Sequence, residues 1–75
     1  MTIGDTYINT YESTTLPAGA VVVIEDVSYD RVYYYYIIIE HIRLYDYSFH
    51  KRHTKHSTFA SLETFEKNFA KYVYN

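Results

Sequence analysis

Apolar and polar positions alternate along most of this chain with the two-residue period of β-strands. One stretch breaks the alternation by being apolar on both faces. Residues 32–39, VYYYYIII, are all β-branched or aromatic, the residue types most favoured in strands. The run is far shorter than the about 20 residues a membrane helix requires. Val32, Tyr34, Tyr36 and Ile38 share one face, and Tyr33, Tyr35, Ile37 and Ile39 share the other. The pattern predicts a central strand either covered on both faces or covered on one and used on the other; it leaves open which face is which.

The remaining elements are organised around this strand. Gly4-Asp5 marks a turn, after which Tyr7, Asn9 and Tyr11 alternate with Ile8 and Thr10, predicting a strand over 6–11. Residues 12–19 read as a loop, with Pro17 at position i+1 of a type I turn and Gly19 at i+3. A second strand is predicted over 20–27, with Val21, Val23 and Glu25 opposite in facing to Val22, Ile24 and Asp26. The polar stretch 28–31 is a hairpin reversal into the third strand, 32–39. Alternation resumes over 41–49, where Ile42, Leu44 and Asp46 oppose His41, Arg43, Tyr45 and Tyr47. A single strand through all of this would be far longer than usual, so a bend or bulge near Glu40 and His41 is expected to divide it. Residues 50–56, HKRHTKH, read as a solvated loop, and 57–60 as a short last strand. Ser61 is a candidate N-cap, with Glu63 in the first turn. Leu62, Phe65, Phe69 and Tyr72 form one apolar stripe, and Glu63 and Lys67 form a favourable i, i+4 pair. A helix over 62–73 is therefore expected to close one end of a barrel.

Composition narrows how such a fold is held. Seventy-five residues make one domain, which buries only about 60–65% of its unfolded surface. There is no cysteine, which excludes disulfides and thiolate metal sites. Stability must come from aromatic packing or from oligomerisation. Eleven tyrosines and four phenylalanines exceed what so small a core can hold, leaving some at the surface or at an interface. The first eleven residues have neither the basic start nor the apolar segment of a secretory signal, and the lack of cysteine makes a cytoplasmic location the expectation. The net charge of −2 is unevenly spread, the first forty residues being acidic and the remainder basic.

Candidate chemistry is sparse. His50, His53 and His56 recur at every third position, but no cysteine completes a zinc set and Lys51, Arg52 and Lys55 between them repel a cation, so no metal is expected. No nucleophile motif, phosphate loop or His-Glu-x-x-His is present, and neither catalysis nor a cofactor is expected. Lys51, Arg52 and Lys55 beside Tyr45, Tyr47 and Phe49 combine phosphate-contacting and base-stacking groups, the logic of single-strand nucleic-acid binders. The net negative charge ranks this as the alternative. Tyrosine is enriched at protein interfaces because it adds area at low entropic cost. Tyr33, Tyr35, Tyr45 and Tyr47 are accordingly the candidate partner-binding residues, and the unguarded strand predicts a homodimer.

Four features carry a family resemblance: Gly4-Asp5-Thr6-Tyr7, the segment LPAGAVVVIEDV, the short turn before VYY, and Leu62-Glu63-Thr64-Phe65-Glu66-Lys67-Asn68-Phe69. They resemble those of short SH3-like barrel proteins encoded by phages and prophages, from which residues 37–56 depart as an extension. The resemblance implies a mainly β, SH3-like barrel of about five strands with a C-terminal helix. It also implies a protein that binds and modulates a bacterial host protein, including a host defence system. It implies no functional residues.

Overall fold

The computed structural model describes residues 1–43 and 48–72, without the Phe49 side chain. Its elements are β1 (Thr6–Asn9), β2 (Val21–Val27), β3 (Arg31–Arg43), β4 (Phe49–Ser61), α1 (Leu62–Asn68) and β5 (Phe69–Lys71). The five strands form one open antiparallel sheet in the order β4-β3-β2-β1-β5.

The sheet is mainly β as expected, but its strands are divided differently. β3 does not bend near Glu40 and His41. It runs unbroken to Arg43 because β4 pairs with every residue of it, from Arg31↔Ser61 to Arg43↔Phe49, without a register shift. The stretch 50–56 is therefore strand and not loop. It has no apolar alternation of its own and is extended because β3 supplies its hydrogen-bonding partner. The shift in register lies instead in β2, between Ile24 and Asp26. This bulge turns Asp26 to the same face as Glu25, since Asp26 stands opposite Tyr33.

The turns follow from glycine. Gly19 has φ of 90°, and Ala20 N–H donates to Pro17 C=O at 3.2 Å. The turn thus spans 17–20 with Gly19 at i+2, the position where a type II turn needs positive φ. Pro17 is its first residue, one place earlier in the turn than the sequence suggested.

The helix begins where predicted: Ser61 Oγ accepts from Thr64 N–H at 3.2 Å. It ends earlier, at Asn68. The Asn68 carbonyl accepts from both the N–H and the hydroxyl of Thr10 at 2.8 Å, and Phe69 is extended. The chain then pairs with β1 as β5.

One face of the sheet carries the core. Val22, Ile24, Val32 and Tyr34 point inward with Leu16 from the loop and Phe65 from α1. Phe65 is fully buried, stacked on Phe69 at 4.3 Å and edge-on to Tyr7 at 5.1 Å. Asn9 is the buried polar residue here. Its Nδ2 donates to the carbonyls of Tyr11, Leu16 and Pro17, and its Oδ1 accepts from Tyr11 N–H. This one amide pins the loop that carries Leu16 into the core.

Beyond the core the β3–β4 hairpin continues alone. The β2–β3 ladder ends at Val23↔Tyr35, whereas β3–β4 pairing continues to Arg43↔Phe49. The result is a two-stranded arm about 24 Å long at the usual rise per residue, in a molecule measuring 50 × 28 × 21 Å.

Candidate docking face

The two faces of β3 separate cleanly. Val32 and Tyr34 are buried and Tyr36 packs against them. Tyr33, Tyr35, Ile37 and Ile39 therefore lie on the outer face, which α1 does not cover. Cross-strand neighbours share a face, so the register puts Phe59, Ser57, Lys55, His53 and Lys51 on this face beside Tyr33, Tyr35, Ile37, Ile39 and His41.

Aromatic and cationic groups meet there. The Tyr33 and Phe59 rings lie 5.7 Å apart. The Arg31 guanidinium lies 5.0 Å over the Phe59 ring and the Lys55 ammonium 4.4 Å over the Tyr35 ring, within the range of cation–π attraction. Lys55 also reaches Glu25 at 3.4 Å. A hydrogen bond from Ser57, assisted by Lys55, holds the Glu25 carboxyl below its usual value despite some loss of solvation. Phe59 is 54% exposed, Ile37 48% and Ile39 53%.

The candidate residues from the sequence are thus partly brought together. Tyr33, Tyr35, Lys51 and Lys55 share the outer face. Arg52 stands opposite Glu40 on the other face and is ion-paired to it. Tyr45 and Tyr47 lie outside the described residues. His53 faces outward, whereas His50 and His56 face the other way, because strand alternation splits an every-third-residue spacing. His56 stacks on Tyr36 at 5.6 Å. Among the described residues no group of three or more His, Asp or Glu side chains could hold a metal ion.

Sequence reasoning missed Phe59, Arg31 and Glu25 as members of this face. The β3–β4 register, invisible while 50–56 read as a loop, reveals Phe59 and its contact with Arg31, and the bulge in the β2–β3 register places Glu25. It also missed a groove of about 590 Å³ where β2 leaves β3, lined by Leu16, Pro17, Val21, Tyr36, Ile37 and Ile38 among others.

No protein-family model matches this chain, no curated protein matches it, and no solved structure matches its fold. No helix among the described residues is long and apolar enough to cross a membrane.

Proposed function

We propose that this is a non-enzymatic protein of phage or mobile-element origin that binds a bacterial host protein in the cytoplasm and inhibits it, a defence system being the kind of target its resemblance implies. In this reading the open sheet is an unrolled relative of the SH3-like barrel, its curl initiated by the bulge at Glu25. The single observation in support is the outer-face row of Phe59, Tyr33, Tyr35, Ile37 and Ile39, in which Phe59, Ile37 and Ile39 are exposed and the two tyrosines half-buried. Aromatic side chains flanked by cations are the composition of interface hot spots. A pull-down from bacterial lysate should capture a host protein with the wild-type chain and lose it with the Tyr33→Ser, Phe59→Ser double variant. Capture unchanged by that variant would overturn the assignment of the face.

A second reading, a nucleic-acid-binding module, is favoured by one observation: Lys51 and Lys55 lie on the same face as the aromatic row. The net charge of −2 and the pairing of Arg52 with Glu40 weigh against it, and the expected affinity is weak and non-specific. Tight binding to single strands at physiological salt with a steep salt slope, lost on Lys51→Glu and Lys55→Glu, would reverse the order of the two readings.

A further inference from the structure

Tyr34 is a core residue with a polar end. Its ring packs against Phe65 at 5.4 Å and Phe69 at 5.3 Å, and the residue is only 9% exposed. A hydrogen-bonding group set this deep is expected to have a partner, yet among the described residues nothing bonds to the Tyr34 hydroxyl. The hydroxyl is not sealed in, since no fully enclosed side-chain polar atom among the described residues lacks a partner. It opens on a recess of about 210 Å³ between the 11–16 loop and α1. Burial, and to a lesser degree Tyr36, holds the phenol above its ordinary pKa, so it stays protonated and can donate at neutral pH.

The other walls of this recess are polar, neutral and fixed. Asn68 contributes a carboxamide that makes no hydrogen bond among the described residues. Its backbone is held by Thr10, whose N–H and hydroxyl both donate to the Asn68 carbonyl at 2.8 Å. Thr64 contributes a hydroxyl whose oxygen accepts from Ser61 Oγ at 2.9 Å, leaving its own proton to give. On the loop side, Ser13 Oγ donates to Leu16 C=O at 3.2 Å and accepts from Leu16 N–H at 3.1 Å. The Asn9 amide ties the same loop from the core side. Tyr11, 61% exposed, stands at the rim. No charged side chain lines the recess.

We propose that this recess is a binding site for a neutral sugar, one pyranose unit in size. Its free groups are hydroxyls and one carboxamide, each able both to give and to take a hydrogen bond. Every sugar hydroxyl has the same double capacity. An ion would instead lose its hydration with no opposite charge to replace it. The volume lies below the roughly 300–1,000 Å³ of drug-sized pockets, which admits a single ring. Leu16 and Phe69 in the lining and the Tyr11 ring at the rim offer apolar surface to the C–H face of a pyranose. Apolar walls with a few placed polar groups are the usual make-up of small-ligand sites. Because loop, cap and helix end are already tied down, little ordering is left to oppose binding. The site lies on the core side of the sheet, opposite the Tyr33–Phe59 face, and so does not depend on the host-binding reading.

The test titrates the isotopically labelled full chain with the methyl glycosides of glucose, galactose, mannose and N-acetylglucosamine, followed by NMR. At least one should give saturable shifts at the amides of residues 13–16, 64 and 68, with a Kd in the millimolar range or tighter. Tyr34→Phe deletes the hydroxyl and keeps the ring. It should weaken that binding at least fivefold and leave thermal melting unchanged, because the hydroxyl has no partner within the protein to lose. Asn68→Ala should weaken binding by a similar factor. Maltose and lactose distinguish the source of the sugar: tighter binding of a disaccharide marks the end of a glycan, weaker binding marks the free monosaccharide, and either agrees with the site. The proposal is overturned if no glycoside of the panel gives saturable shifts, if glycerol gives the same shifts at the same concentration, or if either variant binds as the wild type does. A lower melting temperature for Tyr34→Phe would overturn it equally, since the hydroxyl would then serve the core.

Discussion

Two buried residues carry disproportionate weight in so small a core. Asn9 feeds one amide into three carbonyls of the loop and takes back the Tyr11 N–H. Asn9→Ala would remove the shared donor of that buried loop and should cost about 2 kcal/mol, within the usual range for a lost buried hydrogen-bond partner. Denaturant unfolding measures the loss, and hydrogen exchange should show residues 11–17 opening first. Asn9→Asp should be worse, because it turns an acceptor-only group toward carbonyl oxygens. Phe65 is fully enclosed, whereas Phe69, stacked against it, is only partly buried. Phe65→Ala should therefore cost about 3–5 kcal/mol and Phe69→Ala less, an order that thermal melts of both variants would check. The apolar stripe identified both residues as core, but not their ranking. Asn9 was not legible at all: its position in an alternating strand looked like any solvent-facing polar residue until the loop folded over it. Burial also pushes the Tyr34 hydroxyl above the ordinary phenol range, with neighbouring Tyr36 adding to the effect.

At the scale of elements, what the sequence revealed and what it concealed have one cause. Strands that contribute to the core announced themselves: β2 by AVVVI, β3 by its unbroken apolar run, and the start of α1 by Ser61 ahead of Leu62 and Phe65. Elements held by a neighbour did not. β4 is extended only because β3 pairs with it along its length. β5 emerges because Thr10 captures the last helical carbonyl, ending a stripe whose spacing would have continued the helix to Tyr72. The Glu25 bulge belongs to the same class, since its effect is to bring Glu25 within reach of Ser57 and Lys55 on β4, across β3. The lowered Glu25 pKa makes this link sensitive to acid. Its stabilisation is fully present above the ordinary carboxylate value of 4.5 and is lost as pH falls through the lower folded value. Glu25→Gln should flatten that acid limb of the stability profile while changing the neutral-pH spectrum little. An identical acid limb in the variant would mean that other carboxylates dominate.

The whole molecule divides into a body that folds and an arm that reaches. Every core residue among those described, from Leu16 through Tyr34 to Phe65, lies outside the segment 37–55, so the described part of the arm adds length without adding core. A two-stranded ribbon alone is at best marginally stable in water, which predicts that the body survives its removal. Leu62 N–H donates to Asp30 C=O at 2.8 Å on the β3–β4 ladder, so alternation makes the even-numbered positions of β3 its hydrogen-bonded pairs; Ile38 and Thr54, which stand opposite each other, are one of them, the kind that a two-residue turn closes. Replacing residues 39–53 with Asn-Gly should therefore keep the register of everything below. The shortened chain should unfold cooperatively with a stability within roughly 1 kcal/mol of the full chain, because the lost pairing was exposed on most sides and the shorter loop lowers the closure entropy. Its denaturant m-value should fall with the surface removed. On the proposed host-binding reading it should bind the same partner as the full chain, through Tyr33, Tyr35 and Phe59, which remain. If the shortened chain fails to fold, the arm is part of what stabilises the body, and the division of labour drawn from the position of the core is wrong.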